Sequence, residues 1–561
     1  MKKVVILASG MATRLKPITS HMPKVLVNYK QHTILKHLYD IYANQLGADE
    51  IIVVVNSCYK EMVKAYAAQE NLNIKILTVD EALGSAYALC SISGHLYGHN
   101  VVLNWCDVIP QFNNFEWDMN SVYTWGNDCR FHFDRKFINK GVTGGNVLGV
   151  YQVQQWDYMP DTKENLNEMC QGKDFVEFVS QELDVFQEHK LSNAVDLGDM
   201  IKLAISHKDQ EFNREFNKIE FNYEAESGLS FVTKIATNEM GLALQERELA
   251  WYKNVTSKNV PKILDVAKDR FDMELLQGKT MFEHSDALSP IDLTQTVKSI
   301  LSAMNFSQAS SNVPLDSVKR DFKYEIVEKV LGRNALIQGL IDSFGEVTHV
   351  NGVKLGRVKT LLNQAYNHLL YQHTSSQEKY RVIHGDPHFS NIIIGKDIKF
   401  IDPRGYFGKT IGYGPRIYDE SKVLYSLEGY DDFNANPTWG GLSIDNGYAT
   451  IDIKKPKTKG RLPFNDYHYL WVAIIWIALG GYFKNNPLKA VSAYYYGLYL
   501  LTIQLDKMGR RLNTGLVSHD GPLVKATLVT KNPGKWVLTD LETGVQYRPI
   551  GGHIDHQWEK L

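Results

Sequence analysis

Over the first 110 residues, apolar runs of strand length alternate with stretches whose apolar residues recur at helical spacing. "KVVILAS" is a buried strand, "HTILKHLYDIYANQLG" an amphipathic helix ending on Gly47, and "EIIVVVN" a second strand. "YKEMVKAYAAQ" is then helical, "IKILTV" a strand, "GSAYALCSIS" helical and "NVVLNW" a strand. Repeated β-α-β order predicts an α/β unit, a mainly parallel sheet with helices on both faces.

Around residues 205–220 the chain turns charged and polar ("SHKDQEFNREFNK"), which marks a boundary. A new pattern follows, with "LSFVTKIAT" as a strand, "ALQERELAWYKNV" as a helix and "VPKILDVAKDRFDMELL" as a turn and strand pair. Residues 290–380 read as mostly helical, and the chain then stays aromatic and helical to about residue 510. The end, from Gly515, alternates like β-structure, with turn signals at Asn532-Pro533-Gly534 and Thr543-Gly544. The expected units are an α/β domain at 1–212, an α+β domain at 213–512 and a small β-rich segment at 513–561.

Composition narrows the function classes. The chain has 561 residues, 44% of them hydrophobic and 22% charged, with a formal net charge of −2. That balance gives no electrostatic case for nucleic acid as a partner. Five cysteines without metal-type spacing read as reduced thiols of a cytoplasmic protein. The apolar run opening the chain is too short for a signal peptide, and the longest run, Tyr469 to Phe483, falls short of a membrane span. No membrane partner is expected, and self-association is left open.

Candidate chemistry begins directly after the first strand, in "LASGMATRLKPITSHMPKVL". A turn of small residues lets backbone N–H groups approach a triphosphate, and Arg14 and Lys24 are cations able to neutralise it. The plainer reading is a surface loop with two solvated cations. This stretch resembles the sugar-phosphate and phosphocholine nucleotidyltransferases, whose motif carries Gly-x-Gly-Thr-Arg-Leu and then Pro-Lys; Ala12 replaces the second glycine. An alanine fits there only if its backbone avoids positive φ. The resemblance implies a Rossmann-like nucleotidyltransferase domain, with Ala8, Gly10 and Thr13 at the nucleotide and Arg14 and Lys24 as catalytic cations. It further implies base and ribose contacts at Glu81, Gly84 and Ser85 in "EALGSAYAL", and Mg²⁺ on Asp107 and Asp196. Asp196, in "AVDLGDMIKLA", also reads as part of an ordinary turn, and Cys106 as packing.

A second constellation lies in "YRVIHGDPHFSNIIIGKDIKFIDPRG". Asp386 and Asn391 share one turn, and Asp402 ends the next apolar run. One carboxylate can orient a hydroxyl or take its proton, while an amide oxygen and a second carboxylate can hold Mg²⁺ on a nucleotide phosphate. The stretch resembles the aminoglycoside phosphotransferase and choline kinase family, distant relatives of protein kinases. By that resemblance Asp386 is the catalytic base, Asn391 and Asp402 are metal ligands, and His384 supports the loop. Lys234 on a strand and Glu248 on the next helix, with Glu246 competing, would grip the nucleotide; a clear glycine-rich loop is missing from "NYEAESGLS".

The acceptor stays open between two classes. Trp439, Trp471, Trp476, Tyr482 and "YYYGLY" offer rings to a quaternary ammonium such as choline, though most such rings pack helices together. Arg416 and Asp419 would anchor a sugar instead. A kinase makes the phosphomonoester that a nucleotidyltransferase consumes, so the expectation is a bifunctional enzyme. It would use Mg²⁺, ATP and a second NTP, CTP foremost, to make an NDP-activated headgroup or sugar. A kinase-like regulatory protein with one degenerate site is the rival, resting on Ala12 and the glycine-poor loop.

Overall fold

The computed structural model describes residues 1–126, 131–133, 137–139, 145–157, 170–178, 186–207, 216–224 and 229–512, with four later strands. Lys2–Ala8 is the central strand of the first sheet, with Glu50–Asn56 and then Lys75–Val79 on one side and Asn100–Trp105 on the other, all parallel. The apolar runs of Lys2–Ala8, Glu50–Asn56 and Asn100–Trp105 are buried on both faces, which is why the sequence shows continuous rather than alternating apolarity there. Beyond Asn100–Trp105 the sheet turns antiparallel through Gly145–Val153 and Phe131–Phe133. The expected parallel sheet is therefore mixed. Parallel strands end on one edge, and the small-residue loop after Ala8 and Asp107 both leave from that edge.

The helix expected from His32 begins at Ile34, where the Thr33 side chain accepts from Lys36 N, and runs through a wider turn, Asp40–Gln45, to Gly47 at φ +64°. Asn217–Glu224 opens a separate antiparallel sheet with Leu229–Ala236, Arg270–Glu274 and Ile263–Val266. The helix Glu239–Asn254 follows its second strand. Below it, the helices Pro290–Ala303, Val358–Ser375, Arg416–Leu427, Asp466–Tyr482 and Pro487–Leu512 build a mostly helical body.

One departure interrupts the expected helical stretch. Leu442–Asp445 and Tyr448–Ile451 form a hairpin that joins His349–Val350. Its turn carries Asn446 and Gly447 at φ +48° and +80°, the Asn-Gly signal for a tight hairpin. No helix among the described residues is long and apolar enough to cross a membrane. The final strands, Thr527–Asn532, Lys535–Asp540, Gln546–Pro549 and Trp558–Lys560, pair antiparallel in sequence order.

The two units share an apolar core that runs from Ile34 and Tyr66 to Ile337 and Leu340. The helix Lys60–Gln69 packs on Gln338–Ser343 so closely that a Cβ on Gly339 would lie 3.2 Å from the Ala65 Cβ. Around that contact Asn28 Nδ2 donates to Asn485 O (3.1 Å), Gln69 Nε2 to Lys484 O (2.8 Å), and Ile444 N to His21 Nε2 (3.1 Å). Gly440 abuts Pro17, where a Cβ would come within 2.5 Å of the ring.

Candidate functional site

The edge where the parallel strands end opens into a cleft of about 880 Å³. Ser9, Gly10, Ala12, Arg14, Lys24, Gly84, Ser85, Asp107 and Asp196 line it. Ala8 is buried beneath the loop, whereas Thr13 and Glu81 are exposed and contribute nothing to the lining. The loop does not take the shape expected of it: Ala12 sits at φ 46°, ψ 43°, the left-handed region. The turn holds it there, since Leu15 N and Thr19 Oγ1 both donate to its carbonyl, at 3.0 and 2.8 Å. A left-handed alanine costs about 1 kcal/mol relative to glycine.

Lys24 Nζ makes a short ion pair with Asp107 and lies 3.5 Å from Gly198 O. Lys202 Nζ pairs with Asp196 Oδ2 at 2.6 Å. The two carboxylates converge on Gly198: a Cβ there would lie 2.9 Å from Asp196 Oδ1 and 3.7 Å from Asp107 Oδ2. Two convergent carboxylates that leave room for phosphate oxygens suit Mg²⁺, so the donor set fits that ion. Gly84, at φ +101°, lets the chain pass the Lys173 carbonyl, which a Cβ would meet at 2.5 Å. Ser85 Oγ donates to Asp174 Oδ1 (2.9 Å) and accepts from Phe175 N (2.9 Å), so it ties the two walls together. Burial, with the Asp107 charge adding to it, pushes the Cys106 thiol up to about 12, so it stays protonated and packs.

In the second unit Lys234 Nζ lies 2.6 Å from Glu248 Oε2 and 2.9 Å from Asp402 Oδ1. Glu248 is buried and Glu246 exposed, which decides between the two. Burial alone would lower the Lys234 pKa; Asp402 and Glu248 overcome it and hold the ammonium at about 12. Asn391 Nδ2 donates to Asp386 O at 3.0 Å, which leaves its amide oxygen as the atom suited to a cation. Asn391 and Asp402 thus fit Mg²⁺ as a pair. Asp386 Oδ1 meets Lys422 Nζ at 2.8 Å. Burial would raise the Asp386 pKa, yet Lys422 and His388 hold it well below the usual carboxylate range.

His384, fully buried, is kept neutral near pKa 4, chiefly by desolvation; Nδ1 accepts from Asp386 N and Nε2 donates to Ile401 O. One helix face grips this loop. Asp419 accepts from His384 N (2.8 Å) and Gly385 N (2.7 Å), Lys422 meets Asp386, and Ser426 Oγ accepts from Phe389 N (2.8 Å).

Three residues expected at the substrate do not converge on Asp386. Asp419 is 4% exposed and both its oxygens hold loop amides, so it cannot anchor a sugar. Arg416 pairs with Glu420 and faces another cleft with Lys298 and Arg461. Trp439 packs on Phe433, its indole N–H donating to Asp452 O at 3.2 Å. Trp471 and Trp476 are wholly buried between helices and form no open box. The rings beside Asp386, Tyr418 and Tyr425, already face a cation, Lys422 Nζ, at 5.9 and 5.4 Å. Lys202 and Lys422 escaped the sequence reading. Lys422 had a signal, since 419, 422 and 426 share one helical face.

Residues 3–114 match the family model described as nucleotidyl transferase, so the first unit carries a nucleotidyl transferase domain. The chain is similar to UTP–glucose-1-phosphate uridylyltransferase of Haloferax volcanii, 33% identical over 96 residues, which is 17% of this chain and 39% of that protein. It is also similar to mannose-1-phosphate guanyltransferase of Schizosaccharomyces pombe, 33% identical over 87 residues, 15% of this chain and 24% of that one. The chain thus spans well under half the length of these curated relatives. Among solved structures it is similar to CTP:phosphocholine cytidylyltransferase of Streptococcus pneumoniae, 17% identical, with a TM-score of 0.29 and coverage of 36% of this chain and 97% of that one.

Proposed function

We propose that the chain catalyses two transfers at phosphorus. The first cleft transfers a nucleotidyl group from an NTP to a phosphomonoester; the second site phosphorylates a small alcohol with ATP. The convergence of Asp107, Asp196 and Lys24 around Gly198, at the edge where the parallel strands end, carries the first reading.

In that cleft the loop amides from Ser9 to Arg14 receive the triphosphate. Arg14 neutralises it, and Lys24 moves from Asp107 to the α-phosphate as charge builds there. Asp107 and Asp196 would hold Mg²⁺, which would supply charge neutralisation at the triphosphate. In the second site Lys234, aligned by Glu248, would contact the nucleotide phosphates, and Asn391 with Asp402 would hold Mg²⁺ there. Asp386, kept anionic by Lys422, orients the alcohol and takes its proton. Lys422 against the Tyr418 and Tyr425 rings supports a neutral or anionic alcohol over choline at this site.

The second site makes the kind of compound that the first consumes, so the sequence of steps runs from alcohol to phosphomonoester to NDP derivative. CTP is the first nucleotide to test. A sugar 1-phosphate acceptor with another NTP is a second reading, favoured by the names of the two curated relatives. Mass spectrometry of the whole chain with Mg²⁺, single NTPs and a panel of phosphomonoesters tests the first transfer. An NDP derivative that disappears in Asp107→Ala is expected; pyrophosphate release unchanged in Asp107→Ala refutes the reading.

A further inference from the structure

Phosphorylation at the second site, on which this inference rests, needs an alcohol beside Asp386. A row of ionic groups starts at that residue. Asp386 Oδ1 meets Lys422 Nζ at 2.8 Å, and the ammonium stands 5.9 Å from the Tyr418 ring. Arg404 Nη1 donates to the Tyr418 hydroxyl at 3.0 Å, while its Nη2 pairs with Glu325. Glu325 Oε2 then meets Lys329 Nζ at 2.7 Å. Arg404 also lies directly against the Asp386 loop: a Cβ on Gly385 would come within 3.0 Å of the Arg404 Cβ.

Charge does not balance along this row. Three cations, Lys422, Arg404 and Lys329, face two carboxylates, Asp386 and Glu325. Arg333, one turn beyond Lys329 on the helix Lys329–Leu336, adds to the excess around that lysine. Arg404 already reaches both Glu325 oxygens, so Lys329 is surplus to neutralising that carboxylate. Exposure is as uneven as charge. The Glu325 side chain is 1% exposed and also accepts from Gly408 N at 3.2 Å, whereas Arg404 and Lys329 keep 15% and 17%. The carboxylate is the floor and the two cations are the open side. Burial, with Arg404 and Arg333 adding to it, lowers the Lys329 pKa to about 7, and Glu325 restores only part. A surplus of buried positive charge costs stability unless an anion completes it.

We infer that the alcohol phosphorylated at the second site bears an anionic group, a carboxylate or a phosphate, and that Lys329 and Arg404 bind that group. The hydroxyl lies at Asp386, and the anionic end lies at the far end of the row. In the transfer the hydroxyl oxygen bonds to the γ-phosphorus of ATP while the bond from that phosphorus to the β,γ-bridging oxygen breaks. ADP leaves with the electron pair, and the hydroxyl proton passes to Asp386. The same excess of positive charge repels a cationic alcohol, so the row selects by repulsion as well as by attraction.

The test uses the full chain with Lys329→Gln and Lys329→Arg, and matched alcohols: glycerol with glycerate and glycerol 3-phosphate, and glucose with gluconate and glucose 6-phosphate. Calorimetry reads the binding of each to the chain loaded with Mg²⁺ and the β,γ-imido analogue of ATP. Wild type is expected to bind a charged member of one set at least about tenfold more tightly than its neutral partner. Which charged member leads tells carboxylate from phosphate. Lys329→Gln loses about tenfold for that probe and stays within about twofold for the neutral one, and Lys329→Arg recovers most of the loss. Urea unfolding adds a readout that a purely structural lysine would move the other way: with Arg404 still covering Glu325, ligand-free Lys329→Gln is at least as stable as wild type. No preference of wild type for any charged member overturns this inference alone, as does a Lys329→Gln that binds the charged probes as wild type does. The wild-type preference decides even where a variant is unstable. Nucleotide binding that Lys234→Met leaves unchanged, with no ADP released from any alcohol, overturns the phosphorylation reading and this inference with it.

Discussion

Lys24→Met removes the ammonium group from the first cleft while keeping most of the side-chain volume. Lys24 and Asp107 are 10% and 15% exposed at their side chains, so the substitution strands a mostly buried carboxylate. Taking one partner from a fully buried pair costs about 3–5 kcal/mol. Asp107 keeps an opening to the cleft, which brings the expected loss to about 1–3 kcal/mol. Magnesium should reverse the sign of the comparison: with no lysine competing for Asp107, the ion binds Lys24→Met more tightly and restores most of the lost stability. Turnover behaves in the opposite way. Without a cation at the α-phosphate, kcat for nucleotidyl transfer falls about 10²–10³-fold however much Mg²⁺ is added. Urea unfolding with and without Mg²⁺ reads the first effect, and pyrophosphate release from the NTP and acceptor found by mass spectrometry reads the second. A variant as stable as wild type without Mg²⁺, with kcat within about threefold, refutes the assigned role of the pair.

Ala12→Gly relieves the left-handed strain at Ala12 but adds freedom to the unfolded chain, so stability should change by less than about 1 kcal/mol while nucleotide KM falls; denaturation and steady-state kinetics check both. Glu248→Gln should destabilise the second unit by about 2–4 kcal/mol and weaken ATP binding there, leaving the first transfer intact, as separate assays of ADP and pyrophosphate would read. Asp419 supplies a pH prediction. Burial lifts its folded pKa to about 7, above the value in an unfolded chain. Its contribution is thus fully present below the unfolded pKa and is lost as pH rises from about 4 through 7. Asp419→Asn removes that slope and also loses a loop hydrogen bond; parallel pH profiles that differ only by an offset would contradict the assignment.

Much of the first site was legible because strand and chemistry adjoin in sequence: the loop follows Lys2–Ala8 directly, and Asp107 stands just beyond Asn100–Trp105. The pairing of Lys234 with Glu248 was legible as strand-to-helix spacing, and burial settled which glutamate takes part. Lys202 was hidden because its ion pair with Asp196 leaves no local sequence pattern. Arg416, Asp419 and Trp439 were placed at the substrate because composition marks a residue as polar or aromatic without saying which way its helix faces. Trp471 and Trp476 follow the packing reading given for most of these rings, because packing between helices and ligand binding share one composition. The Asn446-Gly447 hairpin was a missed local signal inside a stretch read as helical throughout.

The contact of Gly440 with Pro17 and the bond from Ile444 to His21 set the segment that follows the small-residue loop against a hairpin that belongs to the other unit. The two halves therefore cannot be traded like beads on a string. A recombination event that swapped the second half for a foreign one would also remove the wall on which the loop of the first half rests. A side chain placed at Gly440 would run into the Pro17 ring, so the fit between the two units is fixed by the absence of one methyl group.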